Sequence, residues 1–254
     1  MGATFYARSS SPTASRMPLP PASTFAARLA FVRERVQSAA RRAGRDADRV
    51  RILAVAKTAH AADLHEAWAA GQRQFAHNRV QALVRDAAAL PAAEWHMIGP
   101  LQGNKVTDCL QAASLVQSVG EAKTAARLDR AAMTIGRRLP VFLQANLQPE
   151  DGRYGCPLET MEALAREVLD RAHLELRGLM TIAAPAASTG QLRADFSRLR
   201  SLAEAWAASG MLPPDPELSM GMSEDFEIAV EEGATLVRIG RFLFPPGAEG
   251  QRLD

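Results

Sequence analysis

The sequence predicts a single α/β domain, a (β/α)8 barrel of the TIM type, in which eight parallel strands each feed a helix. Three observations predict it. Short apolar, β-branched runs alternate with stretches of helical periodicity along the whole chain. Eight such runs occur, which favours a closed barrel over an open doubly wound sheet. The 254 residues are ordinary for one barrel and long for an average domain.

Taken in order, residues 1–22 are rich in Ser, Pro and Arg and lack hydrophobic periodicity, so they are expected to form a disordered tail ahead of a barrel spanning 23–254. The first acidic residue is Glu34, a composition shared with organelle transit peptides, and no apolar segment of a secretory signal precedes it. Thr24 is positioned to cap a helix whose face carries Phe25, Leu29, Val32 and Val36, with Gly44 as its stop. Strand candidates follow at Arg51–Ala56, Gln74–Ala76, Trp95–Ile98, Leu115–Val119, Val141–Ala145, Leu176–Ile182, Glu217–Met220 and Thr235–Ile239. Between them lie helical stretches, among them one with Leu64 and Trp68 on a face closed by Gly71. Others run over Met161–Val168 and Leu192–Trp206, the latter placing Phe196, Leu199, Ala203 and Trp206 on one stripe.

Composition narrows the function. With 47% hydrophobic and 23% charged residues the chain can bury a large core and stay soluble. A net charge of +2 gives no reason to expect nucleic acid or an anionic membrane as partner, and no apolar run approaches the roughly 20 residues that span a bilayer. Cys109 and Cys156 lack metal-type spacing and read as free thiols of a reducing, cytoplasmic compartment. The histidines show no metal-binding pattern, so no metal is expected.

A barrel carries its chemistry at the C-terminal ends of its strands. Those positions hold Lys57, Asn78, Gly99, Ser118, Asn146, Thr181, the Ser219–Ser223 turn and Arg238-Ile239-Gly240, a set suited to an anionic, polar ligand. Lys57 ends the apolar run Ile52–Ala56; partial desolvation there would favour the neutral, nucleophilic amine, the alternative being a lysine that reaches into solvent. Ser219–Ser223 places a Gly/Ser turn before a helical pattern, with Ser223 as its N-cap, and such a turn presents N–H donors to phosphate. An ordinary capped helix reads the same way, and Glu224 and Asp225 would compete with an anion. Arg238 alternates in phase with Leu236 and so points into the barrel mouth, and Gly240 permits close backbone approach.

Six stretches, in order, resemble the YggS-type pyridoxal-phosphate homeostasis proteins, themselves similar to the N-terminal barrel of alanine racemase. They are Leu53–Thr58, Ala70–Gln81, Glu94–Lys105, Leu176–Ile182, Leu218–Phe226 and Val237–Gly240, within a similarity running from about Phe25 to Phe244. The resemblance implies a fold-type III barrel for pyridoxal 5′-phosphate (PLP), with Lys57 forming the internal aldimine. It places Ser219, Gly221, Met222 and Ser223 in the phosphate-binding turn, completed by Gly240 and Arg241. It sets Arg238 against the pyridine nitrogen and Asn78 and His96 near the cofactor. An arginine there keeps the ring nitrogen unprotonated and weakens the ring as an electron sink. The chain departs from the family at Ala76-His77, Ala82, Arg153, Arg241 and Pro245.

Two functions compete. One is a monomeric carrier or regulator of PLP supply, serving PLP-dependent apo-enzymes without turnover. The other is a fold-type III enzyme such as an amino-acid racemase. A two-base racemase needs a second acid/base, and the chain offers only Tyr6 and Tyr154, which favours the carrier.

Overall fold

In the computed structural model, which describes residues 24–148 and 152–245, strand hydrogen bonds run in a closed ring. The strands are β1 (Arg51–Val55), β2 (Gln74–His77), β3 (Glu94–Met97), β4 (Leu115–Val119), β5 (Leu139–Asn146), β6 (Cys156–Pro157), β7 (Leu174–Thr181), β8 (Glu217–Met222) and β9 (Leu236–Ile239). Every pairing is parallel: β1 through β5 pair in succession, β5 pairs with β7, then β7 with β8, β8 with β9, and β9 returns to β1. The eight expected strands therefore form the expected barrel. The two-residue β6 is an addition, lying beside the C-terminal end of β5.

Side-chain alternation sorts the residues into two cores. Leu53, Val55, Ala76, Leu115, Phe142, Met180 and Leu236 fill the barrel interior. The opposite faces, such as Ala54, Phe75, Trp95 and Val237, pack under the helices. These are α1 (Phe25–Arg42), α2 (Ala61–Ala69), α3 (Val80–Ala89), α4 (Val106–Ala112), α5 (Ala122–Thr134), α6 (Leu158–Leu169), α7 (Thr189–Ala208) and α8 (Phe226–Glu231). In α1 the Thr24 hydroxyl accepts from the Ala27 N–H, and Phe25, Leu29, Val32 and Val36 form one buried stripe, as their spacing requires. The periodic stretches read as Met161–Val168 and Leu192–Trp206 are the middles of α6 and α7; α7 starts earlier because Ser188 caps it.

The two ends of the barrel are clasped. The Phe25 and Phe244 rings lie 5.3 Å apart. Arg28 donates to the Leu243 carbonyl at 2.9 Å, and the Thr58 hydroxyl, just past β1, donates to the Phe244 carbonyl at 3.2 Å. Arg35 and Arg42 of α1 pair with Glu227 and Glu231 of α8. The expected tail, 1–22, lies outside the described residues.

Candidate functional site

The strands' C-terminal ends converge on one mouth, and Arg238 is its buried member. As its phase with Leu236 requires, the side chain enters the barrel, where it is 3% exposed. Its guanidinium donates to the Ser219 carbonyl at 2.7 Å, the Ser219 hydroxyl at 2.8 Å and the Thr181 carbonyl at 2.7 Å. Burial pulls its pKa down to about 10, against the opposing field of Asp225, so the group remains a cation at neutral pH. Among the described residues no carboxylate forms an ion pair with it. A buried charge without a paired opposite charge is costly, and such costs concentrate at functional sites.

Lys57 follows β1 into a turn beside the Gly240 segment, for β1 and β9 pair Leu53 with Arg238 and Ala54 with Ile239. The lysine is exposed and has no ion-pair partner among the described residues. The expected partial desolvation is therefore not what the structure has. The strand stops at Val55, and the turn that follows lifts the side chain out of the apolar wall.

The turn after β8 also departs from its expected form. Ser223 does not cap α8; Asp225 holds that position. The buried Asp225 carboxylate accepts from the Met222 N–H, and burial raises its pKa while that bond opposes the rise. Met222 has thus spent its N–H within the turn. Ser223 is buried, and its hydroxyl and N–H have no protein partner among the described residues. Gly221 takes φ +91°, in the left-handed region that disfavours a side chain. Across the mouth the Gly240 carbonyl accepts from Leu243 and Phe244, forming one tight turn in which the Arg241 N–H has no acceptor among the described residues. The Arg241 side chain pairs with Glu224 at 2.8 Å, tying the two turns together at the rim, and both side chains are exposed.

The remaining predicted residues divide. Asn78 is exposed at the mouth, in phase with the inward Ala76. Ser219 and His96 are fully buried below it. The Ser219 hydroxyl donates to Gln117 at 2.6 Å, so its one proton is spent inside the barrel. Gln117 meets His96 Nδ1 at 2.8 Å, and His96 Nε2 meets Glu94 at 3.0 Å. His96 thus reaches the mouth only through Gln117 and Ser219. Asn146 holds its own loop, donating to the Arg153 carbonyl at 2.7 Å, and Ser118 donates to the Gly99 carbonyl at 2.6 Å. Tyr154 donates to the Ser118 carbonyl at 3.1 Å and accepts from the Gly120 N–H at 3.2 Å, and burial raises its pKa. His77 faces outward, bonded to Asp86 at 2.8 Å and stacked on Trp95. Gln117 was missed from sequence; its signal was a lone amide within the buried strand Leu115–Val119.

A closed parallel barrel with a lysine after its first strand and a buried arginine in its last defines a class, the barrels of the alanine racemase N-terminal domain kind. That domain family matches residues 28–245. Within it, the chain belongs to the family of pyridoxal phosphate homeostasis proteins. The protein of that name from Pseudomonas aeruginosa is 44% identical over 225 residues, covering 87% of this chain and 95% of that one. The one from Escherichia coli K12 is 36% identical over 222 residues, covering 85% and 94%. The solved structure of PipY from Synechococcus elongatus, which holds PLP, has a TM-score of 0.77 at 35% identity and covers 87% of this chain and 99% of its own.

Proposed function

We propose that this chain binds PLP covalently through Lys57 at the barrel mouth and serves as a carrier or regulator of the cofactor's supply, without turnover of its own. The observation that carries the reading is the buried Arg238 cation, with no ion pair among the described residues, in the same mouth as a Lys57 amine that likewise has none. PLP asks for three things: an amine, a phosphate anchor and a partner for its ring nitrogen. Lys57 supplies the first. The Ser223 hydroxyl and N–H, with the Arg241 N–H opposite, are unspent donors of the kind a phosphate takes up. Arg238 supplies the third, and a cation beside the ring nitrogen disfavours its protonation. The residues present therefore fit the group.

When bound, the cofactor supplies an aldehyde open to attack by an amine and a ring able to draw electrons from the adjoining carbon. Each protein group then acts at a stated place. Lys57 would supply the amine that holds the aldehyde carbon. Ser223 and the two turns hold the phosphate, with the Arg241–Glu224 pair bracing their rim. Arg238 denies the ring nitrogen a proton, which suppresses carbanion chemistry and suits a protein that holds the cofactor instead of using it. Tyr154 is already engaged at both its donor and its acceptor, so it is not poised as the second base of a racemase. The reading extends to a monomer acting in the cytoplasm and passing PLP to apo-enzymes. Among the described residues no helix is long and apolar enough to cross a membrane.

Borohydride reduction of the PLP-loaded protein followed by peptide mass mapping tests the attachment. The adduct is expected on Lys57, and Lys57→Ala should lose the imine absorbance. An adduct on Lys105 or Lys123 instead would overturn the assignment, and amino-acid racemisation at about one turnover per second or faster would overturn the carrier reading.

A further inference from the structure

Among the described residues the buried cation at the mouth has no ion pair, yet a chain of side chains connects it to a carboxylate at the opposite end of the barrel. Glu94 opens β3 at the lower rim and is partly exposed, while His96, Gln117, Ser219 and Arg238 are all buried. The links measure 3.0 Å (Glu94 to His96), 2.8 Å (His96 to Gln117), 2.6 Å (Gln117 to Ser219) and 2.8 Å (Ser219 to Arg238). They come from four different strands, β3, β4, β8 and β9, so no local motif brings them together.

The direction of every proton in this chain is determined. The hydrogen bond from His96 holds the Glu94 carboxyl down at about 2, so Glu94 is an acceptor only. His96 must donate from Nε2. Burial lowers the imidazole's pKa against the pull of Glu94, with Arg51 lowering it further, so the ring is neutral and its Nδ1 accepts. The Gln117 amide nitrogen must then face His96, which turns its carbonyl oxygen to Ser219. The Ser219 proton goes to that oxygen, and a Ser219 lone pair is left for the guanidinium. Each dipole thus presents its negative end to Arg238 and its positive end to Glu94. Glu94 also accepts from Gln74 at 2.8 Å, which fixes its lower oxygen.

We propose that His96 and Gln117 are positioning residues for Arg238, forming with Ser219 a one-way hydrogen-bond chain that carries the influence of Glu94 across the barrel and holds the guanidinium fixed toward the cofactor ring. This rests on the reading that Arg238 faces the ring nitrogen. Without the chain the Ser219 hydroxyl could turn its proton toward the cation, and the arginine would lose both a bond and its alignment.

Nitrogen-15 NMR of the full chain tests the proposal. In cofactor-free wild type, His96 is expected as the neutral tautomer protonated at Nε2; an Nδ1–H tautomer or an imidazolium near neutral pH would overturn the chain. With ring-labelled PLP bound, Gln117→Met should move the ring-nitrogen resonance toward its protonated value, in the same direction as Arg238→Gln. Glu94→Gln sits at the partly exposed end, outside the packed interior, and should move it the same way by less. His96→Gln, which can still accept from Gln117 and donate to Glu94, should restore the wild-type resonance where His96→Leu does not; packing alone would favour leucine. If Arg238→Gln moves the resonance and Gln117→Met and Glu94→Gln leave it unchanged, the inference fails while the reading of Arg238 stands. If Arg238→Gln itself leaves the resonance unchanged, that reading fails, and the inference with it.

Discussion

Gly221 is the position where adding one methyl group should be felt most. It lies in β8 just ahead of the Ser223 turn, at φ +91°, where a residue with a Cβ is strained by about 1–2 kcal/mol. A Cβ built there would lie 2.5 Å from the Ala229 Cβ and 2.9 Å from the Phe226 Cα, both on α8. Neither contact is the soft end of a flexible chain, so the helix must move, and overpacking of this kind costs about 1–3 kcal/mol. Together the two effects predict a loss of about 2–5 kcal/mol for Gly221→Ala. Gly240→Ala is the internal control: its φ is not positive, and its Cβ would meet the Val55 carbonyl oxygen at an ordinary 3.5 Å. It should cost less than about 1 kcal/mol. Urea unfolding of the two variants and wild type, read as midpoint shifts at unchanged slope, makes the comparison. A Gly221→Ala loss below about 1 kcal/mol, or one no larger than that of Gly240→Ala, would refute the argument that this turn is closed against a side chain.

Other outcomes are expected from the same geometry. Ser223→Ala should weaken PLP by about 1.5–3 kcal/mol and leave pyridoxal, which has no phosphate, nearly untouched; equal weakening in parallel titrations would mean that the hydroxyl only shapes the turn. Burial lowers the pKa of both His77 and His96, so their contribution to stability is complete above an unfolded pKa of about 6.5 and is lost as pH falls below it. Two such groups steepen acid destabilisation by up to about 2.7 kcal/mol per pH unit, and unfolding curves that coincide at pH 7 and pH 5 would contradict this. Cys109, whose thiol burial pushes up to about 12, should not react with a thiol reagent in the native protein and should react promptly once it unfolds; rapid native labelling at Cys109 would contradict its burial.

How far the sequence could be read depended on the range of the interactions involved. The strands were legible because alternation is local, and the same rule placed Arg238 inward from its phase with Leu236. The end of β1 was not: nothing within Val55–Thr58 announces that the chain leaves the sheet at once and carries Lys57 into the open. Ser223 and Asp225 are both good caps by type, yet Asp225 takes the N-cap position without a side-chain capping bond, its carboxylate accepting from the Met222 N–H instead. Arg241 was placed at the phosphate turn by resemblance and marked as a departure, and its pairing with Glu224 depends on two turns meeting in space. Gln117 was invisible as a site residue because its partners, His96 and Ser219, belong to other strands. Polar networks of that kind are assembled by topology and leave no contiguous motif.

The clasp between the barrel's two ends sets the order of events during synthesis. A ribosome delivers Lys57 early, yet the strand that pairs with β1 and carries Arg238 is the last of the nine, and the Phe244 carbonyl that receives Thr58 comes later still. Until that stretch emerges, β1 has an unpaired edge and the turn after β8 has no opposite wall. Ring closure must bring the most distant parts of the barrel together, the slowest kind of contact for a chain to find. Assembly of the mouth is therefore a late event: a chain stalled before β9 displays the lysine without the Gly240 turn that faces the turn after β8.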